Sequence, residues 1–155
     1  MSSSTTEVWT AIALAAAEES PLWASSLRPE GGRDEELVFS PLNDARFALA
    51  VETIYEGYLV HYGRPRLFEP ADRDTALLLG DYLYAQGLVH LAATGSVEAV
   101  RDMAELISLC AHLRGLDRDG DGEAWASTVA GLDGAGPADS ELAAEALAAH
   151  AARVS

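Results

Sequence analysis

The chain has 155 residues, 49% of them hydrophobic, and its 25 acidic residues against 10 basic ones give a formal net charge of −15 at pH 7. That charge excludes nucleic acid and anionic lipid surfaces as partners, because both would be repelled. Alanine is abundant and β-branched residues are sparse, which predicts an all-α protein. The length suits one domain that can bury a core without metals or disulfides.

The first 43 residues are predicted to contain one helix and an irregular linker. A capping-box pattern at Ser4 starts a helix that ends near Glu19, where Pro21 breaks it. The most apolar stretch, residues 8–17, is far shorter than the roughly 20 residues that cross a bilayer, so we expect no transmembrane segment. Residues 27–41 combine Pro and Gly with charged residues, which is typical of a linker over the surface.

Residues 44–115 are predicted to form a helical core. Three periodic segments cover residues 45–62, 73–94 and 97–114, and each follows a residue that can cap a helix. The last two are joined by a short Gly-containing turn, which predicts an antiparallel hairpin. The capping candidates are Asn43 or Asp44, then Asp72 or Asp74, then Ser96.

Residues 116–155 are predicted to form an acidic loop, with at most one short helical turn, followed by an alanine-rich helix over 140–153 that packs loosely. The loop contains a calcium-loop pattern, with Asp117, Asp119 and Asp121 at positions 1, 3 and 5. Position 12 should be a bidentate Glu and is Thr128. The pattern therefore predicts a weak calcium site or an acidic linker.

The stretch GDYLYAQGLVHLAATGS holds two glycines on one side of a predicted helix. Each glycine costs about 1 kcal/mol relative to alanine, so we expect another backbone to pack tightly there. Tyrosines at helical spacing on the preceding helix form an aromatic stripe, which either lines a ligand or partner face or belongs to the ordinary core. The candidate ligand or partner face comprises Tyr55, Tyr58, Tyr62, Gly80, Tyr84 and Gly87.

Glu52 and Glu56 are like charges one helical turn apart, which destabilises a helix unless Arg46, Arg64, Arg66 or a cation compensates.

Asp81 lies on a largely apolar helix, so we expect a structural pairing across a helix contact. The histidines show no metal-ligand spacing, and each is predicted to be a surface or satisfied core residue. Cys110 is the single cysteine, so no disulfide forms within the chain, and it is predicted to lie in the core. The histidines are His61, His90, His112 and His150.

The segment ALAVETIYEGYLVHY, a turn, and ALLLGDYLYAQGLVHLAATGSVEAVRDMAELISLCA together resemble the first half of the trans-isoprenyl diphosphate synthases, the polyprenyl synthetase family. The resemblance covers about residues 45–111 and implies a helical bundle of the isoprenoid synthase type that works as an oligomer. In that family a magnesium-binding aspartate cluster follows the first of these helices. Here residues 61–66 stand in its place, so the resemblance implies that this chain makes no prenyl diphosphate by itself.

The expected function is therefore a non-catalytic helical subunit or interaction protein, acting as a homo-oligomer or as a heteromer with another subunit. The alternatives are a module that binds an isoprenoid or quinone tail, and a calcium-dependent interaction protein. We expect no catalytic residue and no cofactor other than that calcium. The expected location is the cytoplasm, either free or peripheral to a membrane complex.

Overall fold

The computed structural model describes residues 2–155, with side chains from residue 5 onward. Seven α-helices make up this part of the chain and no strand occurs in it, which confirms the all-α prediction. An isolated bridge joins Leu27 and Phe68. None of the helices found over 2–155 is long and apolar enough to cross a membrane. The helices are α1 (Ser2–Glu19), α2 (Pro21–Ser26), α3 (Ala48–Tyr62), α4 (Arg73–Ala93), α5 (Val97–Gly115), α6 (Asp121–Ala130) and α7 (Ser140–Val154).

Helix α3 is the centre of the fold, and every residue from Ala50 to Leu59 is buried. A helix that is apolar on nearly all sides must be surrounded by other elements. A 3-10 turn, Ala45–Phe47, leads into it, and the Asp44 side chain caps that turn by accepting from the Arg46 amide. The predicted end at Tyr62 is confirmed.

Helix α4 packs along α3 with glycines at the contact. A Cβ atom on Gly87 would lie 2.3 Å from Ile54 Cγ1, and one on Gly57 would lie 2.9 Å from the Gly80 carbonyl oxygen. The tight approach predicted for Gly80 and Gly87 is therefore present, but its partner is α3 of the same chain and not another subunit. Packing within the chain therefore accounts for these two glycines, and their part in a ligand or partner face stays a prediction.

The α4–α5 hairpin has the predicted turn. Asp72 and Ser96 cap the two helices by accepting from the Thr75 amide at 2.8 Å and the Ala99 amide at 3.1 Å. Gly95 closes the turn at φ 87°, a left-handed conformation that favours glycine.

The segment after residue 115 is more ordered than predicted. In place of a single turn, α6 is a helix of 10 residues. Trp125 on its inner face is 1% exposed, and its ring lies 5.5 Å from that of Phe39 and 5.0 Å from that of Tyr55. One buried aromatic residue thus fixes a helix that composition alone does not reveal.

Helix α7 does not pack loosely, because two polar side chains anchor it. His150 Nδ1 lies 2.7 Å from the Tyr55 hydroxyl, and Arg153 donates to Glu36 Oε1 at 2.9 Å as well as to Asp34.

The first 43 residues pack onto this core. Helix α1 ends at Glu19 as predicted, and the capping box predicted at Ser4 lies outside the residues whose side chains are described. The linker over 27–41 is irregular as predicted, but it does not stay on the surface, since Val38 and Phe39 are 3% and 0% exposed.

Candidate functional site

An open cleft of about 520 Å³ lies between the C-terminal end of α3, the first half of α4 and the second half of α5. Its position follows from the fold, because α3 ends at Tyr62 while α4 and α5 continue past it. The apolar walls are Val60, Ala76, Leu77, Ile107 and Ala111, and the polar side chains are His61, Tyr62, Arg73, Asp81 and Tyr84.

The imidazole ring of His61 packs against the backbone of α4 at Gly80. A Cβ atom on Gly80 would lie 2.4 Å from His61 Nε2, so only glycine leaves room for the ring in this position. The same nitrogen lies 3.2 Å from Asp81 Oδ1. The His61 side chain is 11% exposed and that of Asp81 is 66% exposed, which places the carboxylate at the mouth of the cleft. The structural pairing predicted for Asp81 is confirmed, with His61 as its partner.

The hydroxyl groups of Tyr62 and Tyr84 are unpaired. Both side chains are half-buried, their rings lie 5.6 Å and 5.2 Å from that of His61, and neither hydroxyl has a hydrogen-bond partner among the side chains and backbone described here. Burial raises the pKa of both phenols above the ordinary value, so both stay protonated at neutral pH. Each can donate one hydrogen bond to a bound molecule.

The other two tyrosines of the predicted stripe belong to the core. Tyr55 and Tyr58 are 0% and 1% exposed. The Tyr55 hydroxyl pairs with His150, and the Tyr58 hydroxyl donates to Asp121 and accepts from Arg114 at 2.8 Å. The structure therefore brings Tyr62 and Tyr84 together at the cleft, and Gly80 lies behind the His61 ring. Tyr55 and Tyr58 have their hydroxyls satisfied inside the protein, and Gly87 lies against Ile54 instead.

The predicted calcium loop is not assembled. Asp121 begins α6, is 6% exposed, and its Oδ2 accepts from Arg114 Nε at 2.8 Å and from the Tyr58 hydroxyl. Nowhere in the described residues do three or more His, Cys, Asp or Glu side chains form a group suited to a metal ion. The prediction of a metal site at Asp117, Asp119 and Asp121 is therefore wrong, because the Asp121 carboxylate already pairs with Arg114.

Arg66, Glu52 and Glu56 form a second polar centre, here called the arginine cluster. The guanidinium contacts Glu52 Oε1 at 2.5 Å and Glu56 Oε1 at 3.0 Å, and all three side chains are 0% exposed. Burial alone would lower the pKa of Arg66, but the two carboxylates raise it above its ordinary value. Arg66 is therefore the compensating charge that the two glutamates were predicted to need.

Backbone groups complete the arginine cluster. Glu52 Oε2 accepts from the Val38 and Ser40 amides at 3.1 and 2.9 Å, and Glu56 Oε2 accepts from the Leu67 amide at 2.7 Å. The Trp9 ring covers the guanidinium at 4.5 Å. One guanidinium serves both carboxylates and backbone amides satisfy their other oxygens, so this cluster holds the surrounding segments together and offers nothing to a ligand.

Sequence reasoning missed His61 and Arg73 as members of the cleft. His61 was assigned only to the surface or a satisfied core, and Arg73 received no role. The Gly-Asp pair at Gly80 and Asp81 is the feature of the sequence that could have indicated His61. A glycine beside a helical carboxylate leaves room for a side chain from a neighbouring helix.

The chain matches no protein-family model, no curated protein and no solved structure in the three comparisons. The resemblance to the trans-isoprenyl diphosphate synthases therefore stays a prediction.

Proposed function

We propose that this chain is a non-catalytic binding protein that holds a small, largely apolar molecule in the cleft between α3, α4 and α5. The presence of His61, Tyr62 and Tyr84 in an apolar cleft of about 520 Å³ carries the proposal. Small-molecule sites typically measure about 300–1,000 Å³ and combine apolar walls with a few converging polar groups. Val60, Leu77 and Ile107 supply such walls, and His61, Tyr62 and Tyr84 supply the polar groups.

The lining of the cleft favours binding over catalysis. No serine, threonine or cysteine side chain belongs to the lining, so His61 has no adjacent nucleophile to activate. The carboxylates of α3 are also occupied, because Arg66 pairs with both of them. A flat or extended apolar molecule, such as an isoprenoid or quinone, fits these walls.

The test is a fluorescence titration with N-phenyl-1-naphthylamine, a probe that brightens in apolar sites. We expect saturable binding by the native chain. Ala111→Trp would place an indole in the cleft from an exposed position of α5, and we expect it to abolish the signal. Ala92→Trp is the matched control, since Ala92 is exposed on α4 and outside the cleft lining. Equal binding by both variants would refute the proposal.

A second candidate function, the interaction subunit, is favoured by exposed apolar residues on the outer face of α4. Leu78 and Val89 expose 56% and 61% of their surface, and Val97 at the start of α5 exposes 82%. Exposed apolar surface of this kind marks contact sites when it is contiguous. The net charge of −15 disfavours a second copy and favours a different subunit.

Native mass spectrometry of the protein purified from its own host tests this second candidate. We expect Leu78→Asp to release a co-purifying subunit, while Leu116→Asp, at a residue that is 52% exposed elsewhere, retains it. A chain that is monomeric before either substitution would contradict the candidate.

A further inference from the structure

The cleft holds more hydrogen-bond donors than its own acceptors satisfy. The hydroxyls of Tyr62 and Tyr84 have no partner in the described part of the chain, although Tyr55 and Tyr58 on the same stripe are both paired. Neither hydroxyl is among the fully buried polar atoms that lack a partner, so both are open to the cleft, where a ligand acceptor can replace water. Both tyrosines line the cleft and can therefore each donate a hydrogen bond to an acceptor atom of a ligand.

The charges around the cleft decide what kind of acceptor fits. Arg73 and Asp81 are both exposed and contribute one charge of each sign, and these two charges cancel across the lining. The whole chain carries −15, which disfavours the approach of an anion. A carboxylate or phosphate end group would therefore gain no net attraction from the lining and would be repelled by the chain as a whole, whereas an uncharged oxygen would not be repelled.

We propose that the polar end of the bound molecule is an uncharged carbonyl oxygen, held by the hydroxyl of Tyr84 with that of Tyr62 beside it. This inference rests on the proposed function of the cleft as a site for an apolar molecule. The ligand class is then an apolar ketone, quinone or ester.

Gly80 and His61 give the carbonyl a fixed position. The His61 ring fills the notch at Gly80 and lies 5.2 Å from the Tyr84 ring, so it limits the room that the Tyr84 ring has to move. A site whose donors are held before binding discriminates strongly against analogues that lack the acceptor, because the donors are then left unpaired.

Two probes that differ in one group test the inference. These are 2-acetylnaphthalene, which carries a C=O group, and 2-isopropenylnaphthalene, which carries a C=CH₂ group of the same shape. Each is titrated against N-phenyl-1-naphthylamine bound to the full chain. We expect Tyr84→Phe to lower the affinity for the ketone about tenfold and to leave the affinity for the alkene unchanged. Tyr82→Phe, on the same helix but outside the cleft lining, should change neither affinity.

The outcomes separate the two proposals. If neither compound displaces the dye, or the dye does not bind, the proposed function fails. If both compounds displace it and Tyr84→Phe affects both equally or neither, the carbonyl inference fails while the cleft remains a binding site. Tighter binding of 2-naphthoate than of the ketone would also overturn the inference, because it would require a charged end group. Circular dichroism melting of Tyr84→Phe checks that the variant folds.

Discussion

The arginine cluster and the cleft are both built on α3, and Glu56 and His61 lie less than two turns apart on that helix. In the arginine cluster, Arg66 contacts Glu52 and Glu56 and both carboxylates accept additional backbone amides. In the cleft, the hydroxyls of Tyr62 and Tyr84 have no partner in the described residues. Both regions place polar groups among apolar ones, and they differ in whether those groups are satisfied.

This difference assigns the two regions different roles. A buried ion pair is a weak source of net stability, because removing the charges from water offsets most of their attraction. The arginine cluster acts instead as a junction, since α1 covers it through Trp9, the linker reaches it through Val38, and the turn after α3 supplies Arg66. The cleft lies between three helices and leaves polar capacity free for a ligand.

Removing Arg66 should have the largest effect on stability. Arg66→Met would leave two carboxylates buried at 0% exposure without their counterion. We expect a loss of about 3–5 kcal/mol in the free energy of unfolding, measured by urea denaturation, because an uncompensated buried charge costs that much.

Arg64→Met is the control for that substitution. Arg64 is exposed and its side chain donates only to the Ser155 carbonyl oxygen at 3.0 Å, while its backbone amide, which the substitution keeps, donates to the Arg153 carbonyl. Removing the side chain should therefore change stability by no more than about 0.5 kcal/mol. Equal stability of the two variants would show that the arginine cluster is not a junction.

Substitutions at the two buried glycines of α4 should have intermediate effects on stability. A methyl group on Gly87 would lie 2.3 Å from Ile54 Cγ1 and 3.1 Å from the Ala50 carbonyl oxygen, so Gly87→Ala should destabilise the protein by about 1–3 kcal/mol. A methyl group on Gly80 meets only the His61 ring among its three nearest atoms. That ring can turn away, so Gly80→Ala should cost less stability and weaken dye binding in the cleft.

Thermal melting and dye titration of both variants measure these effects. Gly115→Ala serves as the reference, because a methyl group there would meet nothing within 4 Å. A Gly87→Ala variant of native stability but altered oligomeric state would instead restore the partner face that the sequence predicted.

The sequence predicts α3, α4 and α5 well because local signals agree along each of them. Asp72 and Ser96 cap their helices as expected, and Gly63 follows the end of α3. Helix α6 was missed because its 10 residues lie among Gly and Asp residues, and its stability comes from burial of Trp125. A short helix stabilised by tertiary contacts has no strong local signal.

The candidate site was predicted only in part, for a geometric reason. Helical spacing shows that Tyr58 and Tyr62 share a face, but it does not show that α6 covers one of them and a cleft borders the other. The charge argument was more informative, because like charges one helical turn apart favour a compensating cation and Arg66 was one of the three arginines that the sequence offered. Whether a tyrosine hydroxyl has a hydrogen-bond partner depends on tertiary contacts, and the periodicity of the sequence does not reveal them.

The smallest expected effect is a pH dependence of stability that comes from a histidine buried in the interior. His150 is 6% exposed and contacts the Tyr55 hydroxyl at 2.7 Å. Burial lowers the pKa of His150 below its ordinary value, an effect that Asp121 and Glu123 oppose and Arg114 reinforces. The unfolded chain, with a histidine pKa near about 6.5, therefore binds more protons than the folded chain just below that pH.

Stability from His150 should accordingly be complete above about pH 6.5 and fall as the pH drops towards the folded pKa, with a slope of at most about 1.4 kcal/mol per pH unit. Burial also lowers the pKa of His90, which adds a contribution of the same sign. Urea denaturation between about pH 7 and pH 5, above the carboxylate range, measures the slope. His150→Gln should flatten it and His112→Gln, at an exposed position of α5, should not. Identical slopes in these two variants would mean that the interior around Tyr55 admits a proton as readily as an open surface does.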